Sequence, residues 1–94
     1  MKITGIIWLR EVVDKLIVKH QVDVYEVEEL FDNKPKIRFV EKGQRNNEHV
    51  YLALGQSHAG RYLSVLFIHK QTKEALILSA RDMATKERKQ YGRK

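Results

Sequence analysis

The sequence of 94 residues lacks cysteine entirely and contains only one proline and five glycines. The absence of cysteine excludes disulfide bonds and every metal site built from thiolates. With 43% hydrophobic residues and no low-complexity stretch, the chain has the composition of a folded protein rather than that of a linker. We therefore expect a single small domain over residues 1–94, close to the smallest size that folds around its own core.

Long hydrophobic runs are also missing from the sequence. No apolar stretch approaches the ~20 residues that a membrane-spanning helix needs. Residues 1–7 have neither the long apolar segment nor the small-residue cleavage site of a secretory signal peptide. We expect a soluble cytoplasmic protein that makes no contact with a membrane.

The basic charge is concentrated in one part of the chain. The net charge is +6, but residues 1–34 hold five lysines and arginines against seven acidic residues, whereas residues 35–94 hold thirteen against five. A basic half of this kind favours contact with the phosphates of a nucleic acid. The same charge would also suit solubility alone, or an acidic protein partner.

The pattern in residues 1–34 predicts a strand and two helices. Residues 3–8 form a short apolar run that suits a strand. Apolar residues then recur at the spacing of one helical face, which predicts a helix over residues 9–20: Leu9, Val12, Val13, Leu16 and Ile17. A second helix begins near Asp23, where Glu26 completes a capping box, and it ends before Pro35.

After Pro35 the hydrophobic period changes to two, which predicts four consecutive antiparallel strands over residues 36–41, 48–55, 61–69 and 74–81. Alternation predicts which side chains face inward: Val50, Leu52 and Leu54, then Leu63, Val65 and Phe67. Tyr51 and Ala53 would then lie on the opposite face. A basic helix over residues 82–91 closes the chain. The predicted class is α+β, an antiparallel sheet with two N-terminal helices on one face and a short C-terminal helix.

Two arginines are the strongest candidates for chemistry. Arg61 begins one predicted strand and Arg81 ends the next, so in an antiparallel pair both can lie at the same edge of the sheet. Arginines placed in this way can bind one phosphate bidentately and stabilise the charge that develops on it during RNA cleavage. The alternative is two rim arginines that face solvent.

Three further side chains could take part. His20 could act as a general acid or base, or it could simply interact with the carbonyl groups at the end of its helix. Glu87 could act as a base, or it could be an ordinary surface carboxylate of the last helix. His49 could contact a nucleic acid from the open face of the sheet.

The last helix carries side chains suited to holding RNA. Lysine and arginine neutralise phosphates, and tyrosine can stack on an unpaired base, although it can equally cover a core. The residues concerned are Lys86, Arg88, Lys89 and Tyr91. No two histidines have the spacing of metal ligands, so we expect neither a metal site nor a cofactor.

Several short strings follow one another along almost the whole chain: Trp8, Lys19-His20-x-Val22, Phe31-Asp32, Tyr51-x-Ala53-x-Gly55, Gly60-Arg61-x-Leu63-x-Val65, Ser79-Ala80-Arg81, Glu87-Arg88 and Tyr91. In this order they resemble the BrnT-type toxins, the ribonuclease half of bacterial type II toxin–antitoxin pairs, which are related in fold to RelE-type toxins. The resemblance implies a metal-independent endoribonuclease that arrests translation. It also implies a ribbon-helix-helix antitoxin as protein partner and RNA as substrate.

Three positions depart from the pattern of that family. Leu9 stands where members usually carry aspartate, Gln21 where they carry glycine, and Val50 where they commonly carry arginine. The departure at Val50 keeps a second hypothesis open, in which the chain is a catalytically weakened nucleic-acid-binding module of the same fold. A third hypothesis is a protein-interaction partner without nuclease activity.

Overall fold

The computed structural model describes residues 1–45 and 47–92. Its elements follow the predicted order, with these bounds: β1 Gly5–Ile7, α1 Arg10–His20, α2 Val24–Asp32, β2 Lys36–Glu41, β3 Val50–Gln56, β4 Tyr62–His69, β5 Glu74–Asp82 and α3 Thr85–Gly92. The strands form one sheet in the order β1-β5-β4-β3-β2. β1 runs parallel to β5, and the other neighbours are antiparallel. The predicted α+β class is therefore confirmed.

The two N-terminal helices meet at a tight connection that positions the site described below. α1 is followed by its C-cap residue Gln21, which adopts a left-handed conformation with φ of 50°. α2 follows at once, and the Glu26 carboxylate accepts a hydrogen bond from the backbone N–H of Asp23 at 3.1 Å. The predicted capping box is confirmed. This connection places the end of α1 beside the start of α2.

The main core lies between these helices and one face of the sheet. Residues from α1, α2, their connection and the three central strands are almost fully buried there: Leu16, Val22, Val27, Leu30, Ala53, Leu63, Val65, Phe67, Ala75, Ile77 and Ala80. The predicted inward direction of Leu63, Val65 and Phe67 is thus confirmed. Burial of this set against the helices is the dominant stabilising contribution.

The predicted faces of β3 are reversed. Ala53 and Tyr51 lie on the side of α1 and α2, opposite Val65 and Phe67 of β4. Leu52 and Leu54 are buried on the other side of the sheet, where α3 packs. The prediction was wrong because β3 is covered on both faces, so its hydrophobic alternation does not say which face meets which helix.

A bulge in β5 determines which side chains reach the face covered by α3. The register between β4 and β5 shifts between Leu66 and Phe67, so Ile77 and Ala80 both face the main core. Beyond the shift, Arg81 pairs with Ser64 and therefore shares its face. The bulge thus turns Arg81 away from the main core and toward α3.

α3 begins three residues later than predicted, because β5 continues to Asp82. Glu87 reaches back to accept a hydrogen bond from the backbone N–H of Ala84 at 2.8 Å. Met83 and Tyr91 pack on the sheet beside Leu54 in a smaller second cluster. Within the described part of the chain, no helix has the length and apolar character needed to cross a membrane.

Candidate active site

Arg61 and Arg81 lie at the same end of the sheet, as the strand positions predict, but Arg61 contacts the α1–α2 connection whereas Arg81 contacts α3 on the opposite face. Arg61 comes directly before β4, and Asp82 is the last residue of β5. Asp82 pairs with Leu63, and Arg81 pairs with Ser64. The end of β5 therefore lies beside the start of β4, and α3 follows immediately.

Arg61 is held by a dense network of hydrogen bonds. Its Nε and Nη2 donate to the Asp82 carboxylate at 2.8 and 3.2 Å. Nη1 donates to the carbonyl oxygen of Gln21 at 2.7 Å and to the Glu26 carboxylate at 3.1 Å, and Nη2 donates to the carbonyl oxygen of His20 at 3.1 Å. These contacts use all five N–H donors of the guanidinium. Arg61 therefore joins the end of α1, the start of α2 and the end of β5.

The charges around Arg61 stabilise one another. The hydrogen bonds from Arg61 lower the pKa of the Asp82 carboxyl, and nearby His20 contributes in the same direction. The bond to Asp82 in turn raises the pKa of Arg61. Asp82 is nevertheless exposed over 66% of its side chain, so its carboxylate stands at the surface beside Arg61.

Arg81 makes a bidentate ion pair with Glu87. Its Nη1 and Nη2 donate to the two carboxylate oxygens at 2.7 and 2.9 Å, and Nη1 also donates to the carbonyl oxygen of Asp82 at 3.0 Å. Among the described residues, Nε and the second hydrogen of Nη2 have no partner. The Arg81 side chain is 44% exposed, so these donors are open to an anion from solvent.

Glu87 is the buried member of this ion pair. Only 8% of the residue is exposed, and its carboxylate also accepts hydrogen bonds from Ser64 Oγ and from the Ala84 N–H. Burial raises the pKa of Glu87, but the hydrogen bonds from Arg81 and Ala84 outweigh burial and leave the pKa lowered. A carboxylate held in this way is a weak proton acceptor, and its geometry suits the orientation of Arg81.

His20 lies at the same end of the sheet, a region that we call the corner. It is the last residue of α1, and its backbone carbonyl oxygen contacts Arg61. Its side chain is half-buried and is near enough to Asp82 to affect the pKa of that carboxyl. The structure therefore gives two pairs of predicted residues, His20 with Arg61 and Arg81 with Glu87. Asp82 links the pairs, since its side chain contacts Arg61 and its backbone carbonyl contacts Arg81.

The basic side chains of α3 border this corner. Lys86, Arg88 and Lys89 are exposed, and the Arg88 guanidinium lies 3.8 Å from the ring centroid of Tyr62. Tyr91 is half-buried against the same Tyr62 ring, at 6.0 Å between centroids. α3 thus presents positive charge, and its Tyr91 ring lies next to the Tyr62 ring of β4.

His49 is not part of this group. It precedes β3, whereas the corner lies beyond the other end of that strand, roughly 20 Å away at the usual rise per residue. Its Nδ1 accepts a hydrogen bond from the Gly43 N–H at 3.2 Å, and its ring packs against Phe39, which lies on the same face as Tyr51. Any contact of His49 with RNA would therefore be separate from the corner.

Val50 also lies away from the two arginines. It is buried at the start of β3, opposite Ile68 of β4 and Glu41 of β2. Arg81 is level with Leu54, four residues further along β3. The departure from the family pattern at Val50 consequently leaves the residues around Arg61 and Arg81 unchanged.

Sequence reasoning missed two members of this corner, Asp82 and Ser64. Asp82 was expected only within the last helix, although its position directly after Arg81 was a usable signal. Ser64 belongs to the site through its pairing with Arg81, which no local pattern reveals. In residues 1–45 and 47–92, no group of three or more histidine or acidic side chains could hold a metal ion.

Comparison with known proteins gives a consistent family and fold. The sequence model of the family described as "Ribonuclease toxin, BrnT, of type II toxin-antitoxin system" matches residues 8–87. The crystal structure of the Brucella abortus ribonuclease toxin BrnT is similar in fold, with a TM-score of 0.59 and 18% identity, over 86% of this chain and 97% of that one. No curated protein sequence matches significantly.

Proposed function

Because this chain belongs to the BrnT family of ribonuclease toxins of type II toxin–antitoxin systems, we propose that it cleaves RNA without a metal ion. In this proposal the ribose 2′-hydroxyl attacks the adjacent phosphorus, and the bond from phosphorus to the 5′-oxygen breaks. The products are a 2′,3′-cyclic phosphate and a free 5′-hydroxyl. The proton of the 2′-hydroxyl must be removed, and the leaving 5′-oxygen must gain one.

The observation that carries the proposal is how Arg81 is held and which of its N–H donors are unused. Its guanidinium is oriented by a buried carboxylate while two of its N–H donors remain without a partner among the described residues. Preorganised donors of this kind stabilise the extra negative charge of the phosphorane more than they stabilise the substrate. We therefore assign phosphate binding to Arg81 and its orientation to Glu87.

Arg61 has a different role from Arg81 in the proposed mechanism. The exposed Asp82 carboxylate, next to Arg81 in the sequence, now occupies Nε and Nη2 of Arg61. Arg61 reaches the phosphate only if the phosphate replaces Asp82 on that side of the guanidinium. Its charge stabilises the bound phosphate in either arrangement, because Coulomb attraction does not require direct contact.

Proton transfer is assigned to His20. Imidazole is the side chain that gains and loses protons near neutral pH, and the His20 ring is near enough to Asp82 to lower the pKa of that carboxyl. Glu87 was the other candidate for this role. Its lowered pKa and its three hydrogen-bond donors favour a positioning role instead.

Binding of the rest of the RNA is assigned to α3. Lys86 and Lys89 are exposed and can neutralise neighbouring phosphates, while Tyr62, Arg88 and Tyr91 form a surface for an unpaired base. We further propose that the antitoxin is a ribbon-helix-helix protein and that the pair acts in the cytoplasm, where RNA is available. The antitoxin's type rests on the family resemblance alone.

A binding module without cleavage remains the second candidate. The observation in its favour is Arg61, whose five N–H donors are already used within the chain. If Arg61 never exchanges Asp82 for phosphate, the phosphorane is stabilised directly by Arg81 without Arg61. The two candidates share the same RNA-binding surface and differ in whether the RNA is cut.

The salt dependence of RNA binding tests that shared surface. We expect the dissociation constant for single-stranded RNA to rise steeply with salt, because binding releases counterions from phosphates. The double variant Lys86→Gln/Lys89→Gln should lower the slope of log K against log salt by about 1.4, or about 0.7 for each phosphate that a lysine no longer neutralises. Fluorescence anisotropy over a series of salt concentrations measures this slope.

The matched control is Arg10→Gln/Lys15→Gln, which removes the same charge from exposed positions on α1. It should leave the slope unchanged. Equal slopes for the wild type and both double variants would show that α3 does not contact the RNA backbone.

A further inference from the structure

One edge of the sheet is a six-residue strand with only one neighbour. β2 pairs with β3 on one side, and no other strand of residues 1–45 and 47–92 pairs with its outer side. The opposite edge of the sheet is β1, which has only three residues. A free edge presents backbone N–H and C=O groups to which an extended chain can pair.

Large apolar side chains are exposed along this edge. Phe39 is 57% exposed and Val40 is 43% exposed. Phe39 lies on the side of α1 and α2, next to the Tyr51 ring at 5.9 Å between centroids. A groove of about 800 Å³ on the same face begins at Ile37 and Tyr51 and extends inward towards residues 3–6, and its lining also includes the charged Glu28, Asp32 and Lys34. The apolar surface offered to an added strand is therefore that of Phe39 and Val40 themselves.

The other side of β2 is basic. Lys36 and Arg38 pair with Leu54 and Leu52, which places them on the face that α3 partly covers. Glu41 lies on the same face, opposite Val50, but Lys42 and Arg45 in the loop that follows keep the surroundings basic. Two copies of this edge would repel each other, whereas acidic side chains of another chain would be attracted. The charge therefore favours an acidic partner over a second copy of this protein.

We propose that β2 is the docking edge for an extended segment of the antitoxin, in which apolar and acidic residues alternate. The inference rests on the proposed function, since it takes the protein partner from the toxin–antitoxin system. The apolar residues of the segment lie beside Ile37 and Phe39, and the acidic residues lie beside Arg38. Backbone pairing supplies the register, because successive residues of a strand face opposite sides.

Arg38 and Phe39 of this edge are separate from the residues assigned to cleavage, although Lys36 of the same strand lies 5.7 Å from the ring centroid of Tyr91. β2 is three strands away from β5, which corresponds to roughly 14 Å at the usual spacing between strands. Neither Arg38 nor Phe39 touches His20, Arg61, Arg81 or Glu87 in any described contact. Variants at the edge should therefore weaken antitoxin binding while RNA cleavage by the free toxin stays unchanged.

Hydrogen–deuterium exchange on the full chain, alone and with the antitoxin encoded beside it, tests the inference. We expect slower amide exchange over residues 36–41 in the complex and unchanged exchange over residues 5–7. Arg38→Glu and Phe39→Thr should each weaken antitoxin binding at least about tenfold. Arg10→Glu is the matched control, since it makes the same charge change at an exposed position of α1.

Each other outcome would overturn the inference. A complex that forms without slowing exchange in β2 would reject the edge and leave the ribonuclease assignment intact. The same would follow if single-stranded RNA, or a second copy of the chain, protected β2 while the antitoxin did not. Failure to form any complex would reject both this inference and the antitoxin partnership, whereas RNA cleavage is measured independently.

Discussion

Replacing Arg81 by alanine is expected to lower the rate of RNA cleavage by about 10²–10³-fold, the usual effect of removing one preorganised donor to a developing anion. Arg81 is the arginine that is both oriented by Glu87 and still open to an anion. Single-turnover cleavage of a short RNA at saturating enzyme measures the chemical step apart from binding.

The same substitution also affects stability, which differs from what a strand-end arginine suggests. Without Arg81, the Glu87 carboxylate remains almost buried with its main cation gone. We expect a loss of about 1–2 kcal/mol in the free energy of unfolding, at the lower end for an unpaired buried charge because Arg81 itself is partly exposed. Urea denaturation measures this loss.

A second substitution separates the two effects. In Arg81→Ala/Glu87→Gln the buried position carries no charge, so stability should recover by about 1 kcal/mol while cleavage remains lost. Recovery of cleavage in the double variant would mean that Arg81 acts only by neutralising Glu87. An Arg81→Ala protein that cleaves at the wild-type rate would remove Arg81 from the mechanism.

Arg61→Ala is expected to have the larger effect on stability, with a loss of roughly 3 kcal/mol in the free energy of unfolding. All five N–H donors of Arg61 are engaged, and they join α1, α2 and β5. Removing the guanidinium leaves the Glu26 carboxylate, 15% exposed, without its cation and frees two helix-end carbonyl groups. Urea denaturation should show a lower midpoint with a similar slope.

Two further variants define the origin of this loss. Arg61→Lys keeps the charge but not the planar fork, so it should recover less than half of the lost stability. Asp82→Asn disturbs only the exposed arm of the network and should cost less than about 1 kcal/mol. If Arg61→Ala unfolds at the same urea concentration as the wild type, the network does not hold the helices to the sheet.

The order of elements was predictable because each has a clear local signal. The periodicity of residues 9–20 and the capping box at Asp23 and Glu26 belong to single helices, and Pro35 marks the change to strands. The faces of β3 were not predictable. Hydrophobic residues occupy both sides of that strand, and only its pairing with β4 decides which of them meet the helices.

The candidate site shows the same limit. The placement of Arg61 and Arg81 at the same end of the sheet followed from strand order, since consecutive antiparallel strands bring such ends together. The partners of Arg61 did not, because they lie 21, 35 and 40 residues away along the chain. Their approach depends on how the α1–α2 connection docks on the start of β4, which is a property of tertiary packing.

The role of Glu87 depends both on a local sequence signal and on the tertiary structure. Its position three residues after Ala84 is the local signal for a residue that reaches back to the start of α3. Its pairing with Arg81 depends on the bulge that turns Arg81 toward α3. Local sequence signals can therefore suggest Glu87 as functional, but the tertiary structure is needed to distinguish a base from a residue that positions an arginine.

Metal-free cleavage by this chain is tested most directly by incubating the purified protein with single-stranded RNA in excess chelator and then analysing the RNA ends. We expect cleavage that leaves 2′,3′-cyclic phosphate and 5′-hydroxyl ends, and loss of this cleavage in Arg81→Ala/Glu87→Gln. RNA that stays intact while it binds to the wild type, or cleavage that leaves 5′-phosphate ends, would contradict the proposed mechanism.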